Sequence, residues 1–436
     1  MKPINIGILG LGTVGSGTVG VLRSNAAEIS RRLGRDVNVF MVSTRNAEKA
    51  REVCPESTLV TADPFEVVRH PDIDIVVEVF GGTEIAKDLV LEAIQNGKHV
   101  VTANKKLLAE YGNEIFALAE QKNVMVQFEA AVAGGIPIIK ALREGLAANN
   151  IRSIAGIING TSNFILTEMR EKGSAFADVL KKAQELGYAE ADPTFDIEGH
   201  DAGHKITIMS ALAFGTPVNF NACYLEGISK LDSRDIKYAE ELGYRVKLLG
   251  ITRKTEKGIE LRVHPTLIPE SRLLASVNGV MNAVRVDADM IGETLYYGAG
   301  AGSKPTASAV VADIIDISRL LTADPGNRVP HLAFQPSQVK PQNMLGMDDI
   351  TSSYYLRVQV KDEPGVLGQI ANILAKEGVS IEALIQKGVL DQTDAEIVIL
   401  THSTVEKNIN TAIAAMEALE CVHGPVVMIR MESLHG

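Results

Sequence analysis

The stretch GHDAGHKITIMS (199–210) places His200, Asp201, His204 and Lys205 within six consecutive residues, directly before an apolar run. Just upstream, LGYAEADPTFDIE carries Glu190, Asp192, Asp196 and Glu198, with Pro193 interrupting any regular structure. His200 and His204 are four residues apart, and so are Asp201 and Lys205. On a helix starting near Gly199 each pair would share a face, one turn apart. Three chemistries compete for this pattern. The first is metal binding, but HDAGH carries Asp201 where the zinc-protease motif H-E-x-x-H has Glu, one methylene longer. No Cys or His nearby offers a further ligand. The second is proton transfer by Lys205 beside Asp201. The third is a plain helix salt bridge, since an early acid and a later Lys also suit the helix dipole. Five acids around one Lys favour the second. An amino-acid alcohol needs a carboxylate for its ammonium and a Lys beside its hydroxyl.

A second constellation supplies what such a reaction lacks. GLGTVG (10–15) puts Gly10, Gly12 and Gly15 in G-x-G-x-x-G spacing, with Leu11, Thr13 and Val14 between them. The strand INIGIL precedes it and a helix to about Arg32 follows, the context a dinucleotide loop requires. Pyrophosphate would then face a helix N-terminus. The next strand, VNVFMV, ends in Ser43, Thr44 and Arg45, with no carboxylate for a ribose 2′-hydroxyl. Arg45 suits a 2′-phosphate, so NADP(H) is expected, either preferred or dual with NAD(H). A nicotinamide site beside Lys205 predicts hydride transfer.

These residues need a scaffold. Apolar strands alternate with helices over residues 1–130, which implies a parallel sheet covered on both faces. Residues 131–320 mix long helices (SNFILTEMREKG, SAFADVLKKAQELG) with strand-like pieces (IRSIAGIING, LRVHPTLI), an α+β pattern whose last helix is expected to pack back on the first domain. Residues 321–350 read as a Pro-rich linker. Residues 351–436 read as strand, helix, strand, strand, helix, strand, a ferredoxin-like order. The 436 residues are 46% hydrophobic, with a formal net charge of −11. That charge argues against nucleic acid or an anionic membrane as partner. The start enters a strand at once, without a signal-type stretch, and no apolar run is long enough to span a bilayer. Cys54, Cys223 and Cys421 are too few and too scattered for a disulfide framework, which points to a cytoplasmic protein.

Taken together, GILGLGTVGSG, VTANK, FEAAVAGGIPII, NGTSNFILTEM, LGYAEADPTFDIEGHDAGHKI and GAGAGSKPTASAV resemble the homoserine dehydrogenases closely, in the family's order over nearly all of residues 1–320. The resemblance implies reversible NAD(P)H-dependent reduction of L-aspartate 4-semialdehyde to L-homoserine, on the route to threonine, methionine and isoleucine. It implies Lys205 as proton donor, Asp201 as an orienting acid, and Lys105 near the nicotinamide end and the reacting group. Glu190 and Asp196 would bind substrate, and Thr102 and Ala103 would line the cofactor. It also implies a monovalent cation, Na+ or K+, held mainly by backbone at Glu129, Val132, Gly134 and Ile136. A homo-oligomer, dimer or tetramer, is implied through the middle domain. The tail resembles an ACT domain through DEPGVLGQIANILAKEGVSI. There Asp362, Gly365, Val366 and Leu367 form the turn where such domains receive an amino acid, with threonine the expected effector.

Overall fold

The computed structural model describes residues 2–387 and 394–434. The chain forms two compact units. One comprises Met1–Ile158, Gly203–Cys223 and Met281–Gln342; the other comprises Asn159–Ala202, Tyr224–Val280 and Asn343–Gly436.

The first unit opens with six strands: β1 (Ile4–Leu9), β2 (Val37–Ser43), β3 (Leu59–Thr61), β4 (Ile75–Glu78), β5 (His99–Thr102) and β6 (Val126–Gln127). They form a parallel sheet in the order β3-β2-β1-β4-β5-β6. The order reverses between β1 and β4, which opens a crevice at the strands' C-terminal ends. Register brings Leu9 opposite both Ser43 and Glu78, and Glu78 opposite Thr102. The residues lining the crevice are therefore the last of each strand. The strands read as unbroken apolar runs because both faces are buried. Ile6, Ile8, Ile75, Val77 and Val101 pack in one core with Val310, Ile314 and Ile317 of helix Ser303–Leu320. Each such side chain contributes roughly 1.5–3 kcal/mol on burial. That helix, far along the sequence, therefore completes the first domain's core. Gly17 permits its approach, because a Cβ there would meet Ser303 Oγ at 2.6 Å.

The next strands in chain order are β7 (Ile151–Ile157), β8 (Tyr224–Leu225), β9 (Tyr244–Lys254), β10 (Ile259–Pro269), β11 (Met281–Ala288) and β12 (Gly292–Ala299). Within the first unit β7, β11 and β12 make an antiparallel ladder.

The tail carries β13 (Thr351–Lys361), β14 (Ile381–Lys387), β15 (Asp394–Thr401), β16 (Thr404–Val405) and β17 (Val427–Met431), with helices Val366–Lys376 and Glu406–Glu417. Its main strands lie antiparallel in the order β17-β13-β15-β14. This is the ferredoxin-like order expected from the sequence, around a core of Leu356, Val358, Ile370, Leu374, Ile397 and Ile409. The sheet continues beyond the tail. Strand β17 also pairs parallel with β10, Thr266 opposite Arg430 and Leu267 opposite Met431, and β10 pairs antiparallel with β9. Three buried ion clusters accompany this continuity, all inside the second unit. Arg357 bonds Asp235 at 2.6 and 3.0 Å and Glu396 at 3.2 Å. Arg430 bonds Glu406 at 2.6 and 2.8 Å and Glu226 at 2.6 Å. Arg262 bonds Glu260 at 2.9 Å and Glu432 at 2.6 Å. The Pro-rich stretch 321–350 is hydrogen-bonded down: Lys340 N donates to Gly215 O, Asn343 Nδ2 to Lys257 O and Leu345 N to Ile259 O.

Candidate active site

The glycine loop is built as a phosphate cradle. Gly10 has φ +94°, a region that disfavours side chains, and its N–H donates to Ser43 O at 3.0 Å. A Cβ on Gly15 would lie 2.0 Å from Gly10 O, so only glycine fits. Gly12 is the opposite case, with nothing within 4 Å of a Cβ, so its face of the loop opens onto empty space. Helix Thr13–Ser24 starts immediately after, with no side-chain cap and no acid in its first turn. Its first N–H groups and dipole suit an anion, and these residues fit a dinucleotide pyrophosphate.

At the end of β2, Ser43 is buried and Arg45 is exposed. Thr44 Oγ1 accepts the Asn46 N–H, and Asn46 caps helix Ala47–Val53. No carboxylate stands in this turn. At the end of β5, Asn104 caps helix Lys105–Gln121 by accepting the Leu107 N–H at 3.0 Å, which makes Lys105 the first helical residue. Thr102 is fully buried, while Ala103 and Lys105 are half-buried. The Thr102 hydroxyl donates to Glu78 Oε2 at 2.6 Å. Sequence reasoning missed Glu78, because DIVVEVF reads simply as a strand.

Helix His200–Phe214 follows Gly199, whose φ of +83° sets the turn into it. It carries Asp201 and Lys205 one turn apart, 3% and 8% exposed. Lys205 Nζ donates to Ile158 O at 2.7 Å. Asp201 is held by a residue that sequence reasoning also missed. The Asn159 side-chain amide donates to Asp196 Oδ1 at 2.7 Å and to Asp201 Oδ2 at 2.9 Å. Its own oxygen caps helix Gly160–Lys172 through the Ser162 N–H. One amide thus gathers two of the expected acids, and Ser162 Oγ fixes the Asp196 backbone at 3.0 Å. Glu190 remains exposed. Asp192 accepts the Thr194 N–H, and the hydrogen bonds from Thr194 hold its carboxyl below the usual carboxylate range. The two histidines go to ring contacts: His200 stacks on Phe195 with centroids 6.3 Å apart, and His204 meets Phe220 edge-on at 4.2 Å.

Glu129, Val132, Gly134 and Ile136 are buried. The Glu129 carboxylate accepts the Ile139 and Lys140 N–H groups at 2.8 Å each, and its own N–H donates to Asp313. Burial pushes the Glu129 carboxyl up to about 6, against the pull of those two N–H bonds. Ala133 and Gly134 are consecutively left-handed, φ +56° and +51°, a turn that redirects successive carbonyls. In the tail, Gly365 (φ +94°) starts helix Val366–Lys376, with Val366 buried and Asp362 and Leu367 exposed. Asp362 Oδ1 accepts from Gln386 at 3.3 Å. No helix among the described residues is long and apolar enough to cross a membrane.

The reversed parallel sheet, the open Gly12 cradle and the buried Lys205 define a dinucleotide-dependent oxidoreductase with a ferredoxin-like module attached. Comparison with known proteins narrows this. Family models described as "Homoserine dehydrogenase, NAD binding domain", "Homoserine dehydrogenase" and "ACT domain" match residues 10–129, 137–315 and 354–421. The homoserine dehydrogenase of Neisseria gonorrhoeae is 79% identical, covering 100% of both chains. The crystal structure of that from Thiobacillus denitrificans superposes with a TM-score of 0.95 at 62% identity, over 100% of this chain and 99% of that one. A hyperthermophilic archaeal homoserine dehydrogenase in complex with NADPH matches with a TM-score of 0.62 at 31% identity, over 73% of this chain and 98% of its own. The chain belongs to the homoserine dehydrogenase family and carries an ACT domain. It is an oxidoreductase of amino-acid biosynthesis.

Proposed function

We infer that the chain interconverts L-aspartate 4-semialdehyde and L-homoserine, on the route to threonine, methionine and isoleucine, with Lys205 as the proton donor. The observation that carries this assignment is the buried Lys205 ammonium, aimed by Ile158 O and borne on the helix that holds Asp201. Bound nicotinamide dinucleotide supplies the hydride. As the aldehyde carbon receives it, negative charge grows on the oxygen. Lys205 stabilises that charge and gives the oxygen its proton, then regains one from solvent. In the reverse direction Lys205, or a water it orients, takes the hydroxyl proton, which favours higher pH. Asp201 orients the reacting end, Glu190 meets the substrate ammonium, and Asp196 shapes that acidic loop. Lys105, with Thr102 and Ala103, serves the nicotinamide end, while Gly10–Gly15 hold the pyrophosphate.

Arg45 and the lack of a carboxylate after β2 support NADPH as the preferred cofactor, and the solved structure of the archaeal relative is a complex with NADPH. Arg45→Ala is expected to raise KM for NADPH more than KM for NADH. Equal changes would remove Arg45 from the 2′-phosphate. The buried, left-handed turn at 133–134 supports a Na+ or K+ site on the backbone of Glu129, Val132, Gly134 and Ile136. Threonine is the expected effector at Asp362, Gly365, Val366 and Leu367. A homo-oligomer, a cytoplasmic location and domain limits near 130, 320 and 350 complete the reading. Steady-state kinetics in both directions, with NADPH and NADH against a panel of small amino-acid alcohols, tests the core of it. A clear preference for an alcohol other than homoserine would replace the substrate, leaving a different dehydrogenase on the same scaffold.

A further inference from the structure

Glu78 is 0% exposed, carries a carboxyl, and has no part in the chemistry above. It is the last residue of β4, on one side of the sheet's reversal, opposite Leu9 and Thr102. Its side chain bonds in two directions. Oε1 accepts the Phe80 N–H at 3.0 Å and the Gly81 N–H at 3.3 Å. Oε2 accepts the Thr102 hydroxyl at 2.6 Å. The Thr102 oxygen in turn accepts the Asn104 N–H at 3.0 Å, and Asn104 Nδ2 donates to Gly82 O at 2.7 Å. The bonds close a ring: Glu78, Phe80–Gly82, Asn104, Thr102, Glu78. Two facts tie this ring to the crevice. Gly81 and Gly82 are both left-handed, φ +79° and +74°, so the strip has little conformational preference of its own. And the strip abuts the glycine loop, since a Cβ on Gly10 would lie 3.1 Å from Val79 O and 3.2 Å from Phe80 Cα.

We propose that Glu78 is a positioning residue for the dinucleotide, fixing the Phe80–Gly82 strip and the Thr102–Lys105 segment as one wall of the crevice. The assignment rests on the dinucleotide reading given above. Burying a carboxyl costs free energy unless its lone pairs are filled. Here donors from the strip and from β5 fill them, so neither segment can shift without stripping the other's partner. Burial does push the Glu78 carboxyl upward, opposed by the Thr102, Phe80 and Gly81 bonds. On that reading the adenine half lies at the end of β2, on the other side of the sheet's reversal from Glu78. Glu78 therefore governs the nicotinamide half selectively.

The test is Glu78→Gln, which keeps the shape but replaces one acceptor by a donor. Binding of NADPH, read by its fluorescence, is expected to weaken about tenfold, the loss of one charge-assisted bond. Binding of 2′,5′-ADP, which lacks the nicotinamide half, should stay within about twofold, a difference well under one such bond. Should Glu78→Gln fail to fold, Glu78→Asp, which keeps the charge but withdraws it by one methylene from the Thr102 hydroxyl, should give the same split. Equal losses for both ligands mark a general structural role and overturn the proposal, as does unchanged NADPH binding. If the unmutated protein binds neither ligand, the dinucleotide reading itself fails, an outcome visible before any variant is made.

Discussion

Lys205 is held in place in part by a backbone oxygen. With 8% exposure it has little room for other rotamers, and the Ile158 carbonyl fixes its ammonium. Lys205→Ala is expected to lower kcat by about 10²-fold or more, the range for a lost acid–base group. Dinucleotide affinity should be unchanged, because the phosphates belong to the glycine loop. Near-normal turnover in that variant would remove Lys205 from the chemistry. Asn159 makes a second residue-scale prediction. Its amide donates to both Asp196 and Asp201, so Asn159→Asp would replace that shared donor by a third carboxyl. KM for homoserine should rise about fivefold to 150-fold, the equivalent of ~1–3 kcal/mol for a lost buried bond, with KM for NADPH unaffected. If both constants move alike, Asn159 serves the fold and not the acidic loop. The spacing of Asp201 and Lys205 was legible because both sit on one helix. Asn159 was not, because its partners lie 37 and 42 residues away and only the folded loop brings them to one amide. Glu78 was hidden for the same reason, its hydroxyl partner being 24 residues on.

Strand β6 and the residue before it are pinned from two sides by histidines. His99 Nδ1 accepts the Met125 N–H at 2.8 Å, and His331 Nε2 accepts the Val126 N–H at 3.1 Å. Both rings must be neutral at the accepting nitrogen, and burial pushes both down to about 4. The sign follows directly. Between about 4 and the ordinary value near 6.5, the unfolded chain binds two protons that the folded chain does not. Their contribution is complete above 6.5 and is lost as pH falls through 4. In that window stability should fall by about 1.4 kcal/mol per pH unit for each histidine. Urea unfolding at pH 7, 6 and 5 measures this. His331→Gln, whose side-chain oxygen still accepts the N–H, should remove about one proton from the slope. An unchanged slope would mean that His331 titrates alike in both states. The alternation of strands and helices around these histidines was legible from apolar runs and glycine stops. The role of helix Ser303–Leu320 in the first domain's core was legible only as an expectation, since nothing in an apolar helix face names its partner.

In the second unit, tail and middle segment share one sheet and three buried ion clusters. Asp235, 1% exposed, takes two bonds from Arg357 and the Tyr355 hydroxyl at 2.8 Å. Arg357→Met should cost about 3–5 kcal/mol, because it strands a buried carboxylate. Thermal unfolding measures it, and Asp235→Asn in the same chain should recover part of the loss. If Arg357→Met leaves the melting temperature unchanged, the cluster contributes nothing. Deleting residues 351–436 would take Arg357 from Asp235, Arg430 from Glu226 and Glu432 from Arg262, so the truncated protein is expected to misfold. A point change in the effector turn therefore tests threonine binding more cleanly. Gly365→Asp meets open space but must adopt φ near +94°, so it perturbs the turn locally. Lost threonine inhibition with homoserine kinetics intact would place the effector there; undiminished inhibition would place it elsewhere.

The pairing of β17 with β10 also sets an order of events in synthesis. Thr266 and Leu267 leave the ribosome well before Arg430 and Met431, by on the order of ten seconds at common elongation rates. Through that interval β8 covers β10 at Arg262 and Val263, but Thr266 and Leu267 lack their neighbour on that edge, and Arg262 waits for Glu432. An open strand edge of this kind invites pairing with other chains. The nascent protein should therefore depend on holding factors until β17 emerges. Arrested chains ending before residue 427 should be cut readily by protease within 224–280, and chains extended past 434 should resist. Equal resistance in the two would mean that β10 is secure without its late partner.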